Sequence, residues 1–184
     1  MKLDNEIIAF ENRIFHCVTS AGKFLIIFGG YNHCTETVCN ELWTYDTING
    51  VCTKYAALVK TAETCVNSTI CAVGNQVYIF GGTGLRLRDG STNSLISFDI
   101  SNGTSHDLSP RIDDYSQYTP PPMYRSFVFY HNESLYIIGS IGEQDRMDTM
   151  NKYSIKTSTW FSVRQNGLKP VFRNRIFGTV FKNK

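Results

Sequence analysis

The chain has 184 residues, 42% of them apolar and 13% aromatic, and carries 18 Lys and Arg against 16 Asp and Glu for a formal charge of +2. That length suits one domain with a substantial core, and the near-balanced charge gives no pull towards nucleic acid or an acidic membrane. No basic start followed by a sustained apolar run marks a signal peptide, and the longest apolar runs, such as 24–28, are strand-sized and too short to span a bilayer.

Taken in chain order, the pattern predicts three groups of four short strands. The first group covers 13–19, 23–28, 40–47 and 51–55; the second covers 66–73, 76–80, 94–100 and 104–108. The third covers 124–131, 134–138, 149–155 and 159–163. β-Branched and aromatic residues dominate these runs, and Gly, Asn or charged clusters separate them. Asn49-Gly50, Asn102-Gly103 and Gly74-Asn75 read as hairpin turns, since both residue types tolerate positive φ.

The groups repeat one phrase. Phe24-Leu25-Ile26-Ile27-Phe28-Gly29-Gly30 leads to Leu42-Trp43-Thr44-Tyr45-Asp46, and Val77-Tyr78-Ile79-Phe80-Gly81-Gly82 leads to Leu95-Ile96-Ser97-Phe98-Asp99. A worn third copy, Leu135-Tyr136-Ile137-Ile138-Gly139-Ser140, leads to Met150-Asn151-Lys152-Tyr153-Ser154. The step is 52 residues from Gly29 to Gly81 and 58 from Gly81 to Gly139. A period near 50 with this content signals radially stacked sheets, a binding scaffold more than an enzyme. Arg175-Ile176-Phe177-Gly178 echoes Arg13-Ile14-Phe15-His16, as the first strand of a fourth repeat would.

Loop lengths locate a surface. In a four-stranded meander the first and third connections lie on one face, and the second connection and the link to the next repeat lie on the other. Here the first and third connections are tight, whereas 31–39, 83–93, 141–148 and the link 109–123 are long. Long connections on a rigid scaffold are where function gathers, so the long-loop face is the predicted binding face.

Six cysteines (Cys17, Cys34, Cys39, Cys52, Cys65 and Cys71) could pair in a secreted protein, but Cys17, Cys52 and Cys71 fall in or beside predicted strands as small apolar residues. Without a secretory signal the thiols read as reduced, the localisation as cytoplasmic or nuclear, and the sequons at Asn67, Asn102 and Asn132 as unmodified. His33, Cys34 and Cys39 share a loop but lack the second ligand pair of a structural zinc site, so no metal is expected. Gly81-Gly82-Thr83-Gly84 lacks the Lys and helix of a phosphate loop. Asp113-Asp114 lies in a Tyr- and Pro-rich link that favours extended structure, as a linker or docking segment. No catalytic residue, enzyme activity or cofactor is expected.

These marks resemble the kelch repeat across 13–184: a leading Arg and His, a diglycine after the second strand, an aromatic on the third and a Trp seven residues on. Repeat one carries Arg13, His16, Gly29-Gly30 and Tyr45 with Cys52 in place of the Trp. Repeat two carries Gly81-Gly82 and Phe98 with Cys65, Ser68 and Ser105 at the other marks. Repeat three carries Tyr153 and Trp160, with Ser126 in place of the His and Gly139-Ser140 in place of the diglycine. Loss of the Trp is expected to loosen the first two blades, and His16 reads as a hydrogen-bonded core histidine.

The resemblance implies an all-β partial kelch β-propeller of three four-stranded blades plus the first strand of a fourth. The expected division is a lead-in over 1–12, blades over 13–60 and 61–110, a linker over 111–123, a third blade over 124–170 and a truncated fourth over 171–184. The strings FGGYN (28–32), ELW (41–43), FGGTG (80–84) and SLYIIG (134–139) are similar to kelch proteins that act as substrate receptors of cullin-2 ubiquitin ligases. That likeness implies capture of a C-terminal tail, with ligase components recruited through a C-terminal region missing from this chain. The alternative is a generic cytoskeletal or signalling kelch scaffold with no ubiquitin role.

The expected partner is a protein or peptide, with neither nucleic acid nor membrane, and self-association through open blade flanks is expected as well. Three blades fall short of the usual ring, so the chain reads as a truncated product or as half of a ring completed by another copy. Candidate peptide-binding residues are Arg13, Arg86, Arg88, Arg125, Arg173 and Arg175, whose planar forks suit carboxylates, with Tyr31 and Tyr124 as apolar walls. The competing reading is that leading arginines brace the loops and loop arginines are solvated.

Overall fold

A computed structural model describes residues 12–56, 65–85, 90–110, 112, 118–139, 149–168, 176 and 178. Its first strands are β1 (Arg13–Ile14), β2 (Cys17–Ala21), β3 (Phe24–Phe28), β4 (Tyr31–Asn32), β5 (Thr37–Val38), β6 (Leu42–Asp46) and β7 (Cys52–Tyr55). The second repeat supplies β8 (Thr69–Val73), β9 (Gln76–Phe80), β10 (Leu95–Asp99) and β11 (Thr104–Ser109). The third supplies β12 (Phe127–His131), β13 (Ser134–Gly139), β14 (Thr149–Ser154) and β15 (Thr159–Val163). They form three four-stranded antiparallel meanders, β2-β3-β6-β7, β8-β9-β10-β11 and β12-β13-β14-β15, and a small sheet of order β1-β4-β5. The all-β expectation of successive four-stranded blades holds, and the described sheets do not close a ring.

Strand alternation gives each sheet two faces, and both inner faces are apolar. Ile26, Phe28 and Leu42 of the first sheet pack with Ile70, Val77, Ile79 and Phe98 of the second. Tyr78, Phe80 and Leu95 of the second pack with Val128, Leu135, Ile137 and Tyr153 of the third. Each such side chain contributes about 1.5–3 kcal/mol by burial, so the inter-sheet layers hold the stack together.

An aromatic pair spans each layer. Phe80 meets Trp160 at 5.9 Å, Trp160 Nε1 donates to Ser109 Oγ at 3.1 Å, and Tyr153 OH donates to the Leu108 carbonyl at 3.0 Å. Between the first two sheets, where Ser105 replaces the Trp, Tyr55 lies edge-on against Phe98 at 4.9 Å. An aromatic donated by the preceding sheet therefore stands where loosening was expected.

The expected strand cores match the observed ones, but the innermost strands begin later than expected. Those expected to start at 13, 66 and 124 run as β2, β8 and β12. The reason is shared: Phe15, Asn67 and Arg125 adopt φ of 59°, 57° and 57°, which breaks the extended backbone two residues before each strand. The loop expected over 31–39 contains β4, which pairs with β1, and β5, which pairs with β4. In the Asn49-Gly50 and Asn102-Gly103 turns only Gly50 and Gly103 take positive φ, and Asp46 and Asp99 cap the turns from their side chains. Both residues are left-handed at Asn132-Glu133 instead, as a type I′ turn requires.

A cavity of about 630 Å³ runs between the innermost strands β2, β8 and β12. Ile176 and Gly178 also line it, and Gly178 lies beside the Phe127 ring. The rest of the expected fourth-blade strand over 171–184 lies outside the described residues.

Candidate functional site

The described ends of the inter-repeat links meet on one side, and the connection expected over 141–148 lies outside the described residues. Gly30 N donates to the Cys65 carbonyl and Gly82 N to that of Met123, each at 3.0 Å, so each link hooks onto the diglycine of the sheet before it. A Cβ on Gly29 or Gly81 would collide with those carbonyl oxygens, and both glycines have positive φ, 68° and 63°. The diglycine thus serves close approach as well as turn geometry.

Two residues on, the links join again. Asn67 N donates to the Phe15 carbonyl at 2.9 Å, and Arg125 N donates to the Asn67 carbonyl at 3.0 Å. These are the three left-handed residues noted above, so one position in every repeat forms a backbone ladder across the blades. Its side chains differ: Phe15 is 43% exposed, Asn67 is buried and Arg125 is exposed. Their chain neighbours His16 and Ser126 line the central cavity, which sets this ladder beside the cavity. The turns of the first and third connections bond among themselves on the opposite side, as in Thr47 N to Lys23 O and Ile100 N to Asn75 O.

The structure gives Arg13 protein partners. Its Nη2 lies 3.0 Å from Glu41 Oε1, its Nη1 donates to the Gly29 carbonyl at 3.3 Å, and only 6% of its side chain is exposed. Lys54 Nζ reaches the same Glu41 oxygen at 3.4 Å, and both cations lie over the Trp43 ring, at 5.8 and 5.2 Å. Burial pushes the Glu41 carboxyl up, but its backbone hydrogen bond, Arg13 and Lys54 outweigh this and hold it below the usual carboxylate range. Arg13 accordingly ties the start of the chain to the second connection of its own sheet.

Tyr31 is 9% exposed, pairs with Ile14 across β1 and β4, and meets the His33 ring edge-on at 5.6 Å. Tyr124 is half-buried, and the Arg125 guanidinium lies 5.6 Å from its ring centre. Arg13 and Tyr31 are therefore neighbours through the small sheet, Tyr124 and Arg125 form a second pair, and the backbone ladder connects the two regions. Arg86, Arg88, Arg173 and Arg175 lie outside the described residues.

Other ordering residues escaped the sequence reading. Buried Asn93 donates Nδ2 to the carbonyls of Ile112 and Pro120, both at 3.0 Å, and accepts Ile112 N at 2.9 Å, so one side chain pins two points of the link 109–123. Phe15 and Asn67 could have been found by aligning the repeats at Arg125, two residues before each innermost strand. Among the loop cysteines and histidine considered for a metal, Cys39 is buried while Cys34 and His33 are exposed. His16 Nδ1 lies 3.2 Å from the Arg13 carbonyl, an ordinary structural contact.

A family model described as the KLHDC2/KLHL20/DRC7 Kelch-repeats domain matches residues 3–184. The chain is 21% identical over 154 residues to human (Homo sapiens) Kelch domain-containing protein 1, covering 82% of this chain and 37% of that protein. Mouse (Mus musculus) Kelch domain-containing protein 1 is 20% identical over the same length and with the same coverage. The chain thus spans little more than a third of the length of these relatives.

Proposed function

The chain belongs to the kelch-repeat domain family, and we propose that it is a non-catalytic module that binds a protein tail on its long-loop face. The family is generally an interaction scaffold. The observation that carries the reading is the ladder of links, which sets the exposed Phe15 and Arg125 beside the mixed polar and apolar cavity. Arg125 offers a planar fork to a carboxylate, and its neighbour Tyr124 offers a wall for the residue before it. Arg13, committed to Glu41, supports the rim instead of contacting the ligand, and Arg86, Arg88, Arg173 and Arg175 are proposed as further cations around it.

The finer proposal is a relation to receptors of cullin-RING ubiquitin ligases, with the FGGYN and FGGTG strings favouring a likeness to kelch domain-containing protein ten. Under it the bound tail ends in a free carboxylate.

The test is capture of the chain on immobilised C-terminal peptides presented as free acid or as amide. Preference for the acid, lost in Arg125→Ala, supports tail-end capture. Equal capture of both forms sinks it and leaves a kelch scaffold that recognises internal sequence, as a cytoskeletal or signalling module would.

A further inference from the structure

The backbone ladder has two chemically different ends. Phe15 is 43% exposed and its chain neighbour Ile14 40%, so apolar side chains reach solvent at the first repeat. At the third repeat Arg125 is exposed, with its guanidinium 5.6 Å from the centre of the half-buried Tyr124 ring. Between them Asn67 and Ser68 are buried, which makes the middle repeat a low step from the apolar end to the cationic one.

Phe15 stands where its residue type is disfavoured. Its φ is 59°, a conformation that bulky side chains rarely adopt, whereas the second repeat fills the same position with Asn67, a type that adopts it readily. The backbone around it is fixed by close packing. A Cβ on Gly30 would meet the Ile14 carbonyl oxygen at 2.7 Å and His16 N at 3.1 Å, and the Phe15 carbonyl accepts from Asn67 N at 2.9 Å. The fold demands a left-handed residue at this position, but nothing in the ladder demands an exposed ring.

Spacing sets a register for a ligand. Chains bonded side by side lie about 4.8 Å apart, so the two steps of the ladder separate Phe15 from Arg125 by about 10 Å. An extended peptide rises about 3.3 Å per residue, so roughly three residues cover that distance.

We infer that the bound tail crosses the ladder with its terminal carboxylate at Arg125 and an apolar side chain, roughly three residues before the last, over Phe15; this rests on the tail reading above and adds to it a direction and a ligand class. The guanidinium fork holds the carboxylate, and the Phe15 ring withdraws the apolar side chain from water on a backbone that is already in place. The opposite direction would set the carboxylate against Ile14 and Phe15 and leave the cation at the far end of the ladder.

Fluorescence anisotropy of the full chain with short Gly-Ser peptides tests it. Each peptide carries one Phe, moved position by position back from a free terminal carboxylate, and each has an amide twin. The expected result is a peak with the Phe roughly three residues before the last, binding about tenfold tighter than a peptide without Phe. Phe15→Asn, which suits the left-handed backbone, should flatten the peak and keep the preference for acid over amide, whereas Phe15→Tyr should keep both. Circular dichroism checks the fold of each variant. If a variant fails to fold, benzoyl-phenylalanine at the same place in the peptide keeps the test decisive on the parent chain, with crosslinks expected at residues 13–16. Acid preference without a peak, a peak at the last or next-to-last residue, a peak that survives in folded Phe15→Asn, or crosslinks confined to 123–126 would each overturn the inference and leave carboxylate capture standing. Equal binding of acid and amide would overturn both, since the register is counted from the carboxylate.

Discussion

Arg13 and Glu41 form an ion pair at 3.0 Å whose side chains are 6% and 11% exposed, with Trp43 beneath both Arg13 and Lys54. Breaking a buried pair by removing one member costs about 3–5 kcal/mol. Arg13→Met leaves Glu41 with Lys54 at 3.4 Å and the Asn40 N–H at 3.0 Å, which places its cost near the lower end, about 3 kcal/mol. Glu41→Leu removes the carboxylate that both cations share and belongs near the upper end, about 5 kcal/mol. Removing both charges together, Arg13→Met with Glu41→Leu, is expected to fall within about 1 kcal/mol of the parent, since an apolar replacement of a buried pair is often neutral. The coupling between the two sites is then several kcal/mol, far above the usual error of additivity.

Urea unfolding followed by tryptophan fluorescence reads all four proteins, and Trp43 reports from the site itself. The folded Glu41 carboxyl titrates below the ordinary value of 4.5, so its stabilisation is complete above that value and is lost as pH falls through the folded pKa. The stability gap between the parent and Glu41→Gln should therefore narrow as the solution is acidified below about pH 5. Single-variant costs under about 1 kcal/mol, the range of exposed surface pairs, or a gap that does not change with pH, would refute the brace.

Three further outcomes follow from the geometry. Gly29→Ala and Gly81→Ala meet both a left-handed φ and a backbone carbonyl, whereas Gly22→Ala, at φ 54°, meets open space. The first two should cost about 3 kcal/mol or more and the last about 1 kcal/mol by the same denaturation assay. Among the thiols, exposed Cys34 should be alkylated first in the native chain, while Cys71, pushed up to about 12 by burial, and buried Cys17, Cys39 and Cys65 should react only on unfolding, as peptide mass spectrometry will show. Tyr55→Ala should cost about 2 kcal/mol or more and Tyr55→Phe much less, because the contact with Phe98 is made by the ring.

The strand cores were legible because their alternation is strong: 76–80 and 159–163 are expected and observed with identical bounds. Their inner ends were not, because Phe15, Asn67 and Arg125 have no residue type in common. Only position makes them left-handed, and the hydrogen bonds that hold them come from another repeat. Repeat spacing revealed the diglycine but not the Cys65 and Met123 carbonyls that require it. Arg13 was legible as a leading arginine, while its partner Glu41, 28 residues away, depends on the β1-β4-β5 sheet that the loop 31–39 concealed. Tyr55 was hidden for a similar reason: it replaces a missing aromatic from the neighbouring sheet, and a repeat-by-repeat comparison looks for substitutes within the repeat.

The central claim is that the long-loop ladder is the binding surface. Hydrogen–deuterium exchange of the full chain, with and without a captured free-acid peptide, tests it most directly. The account predicts added protection over 13–16, 65–67 and 123–126, where the links join, and none at the opposite turns 47–50, 74–75 and 101–103. Protection confined to those opposite turns, with the ladder unchanged, would contradict it.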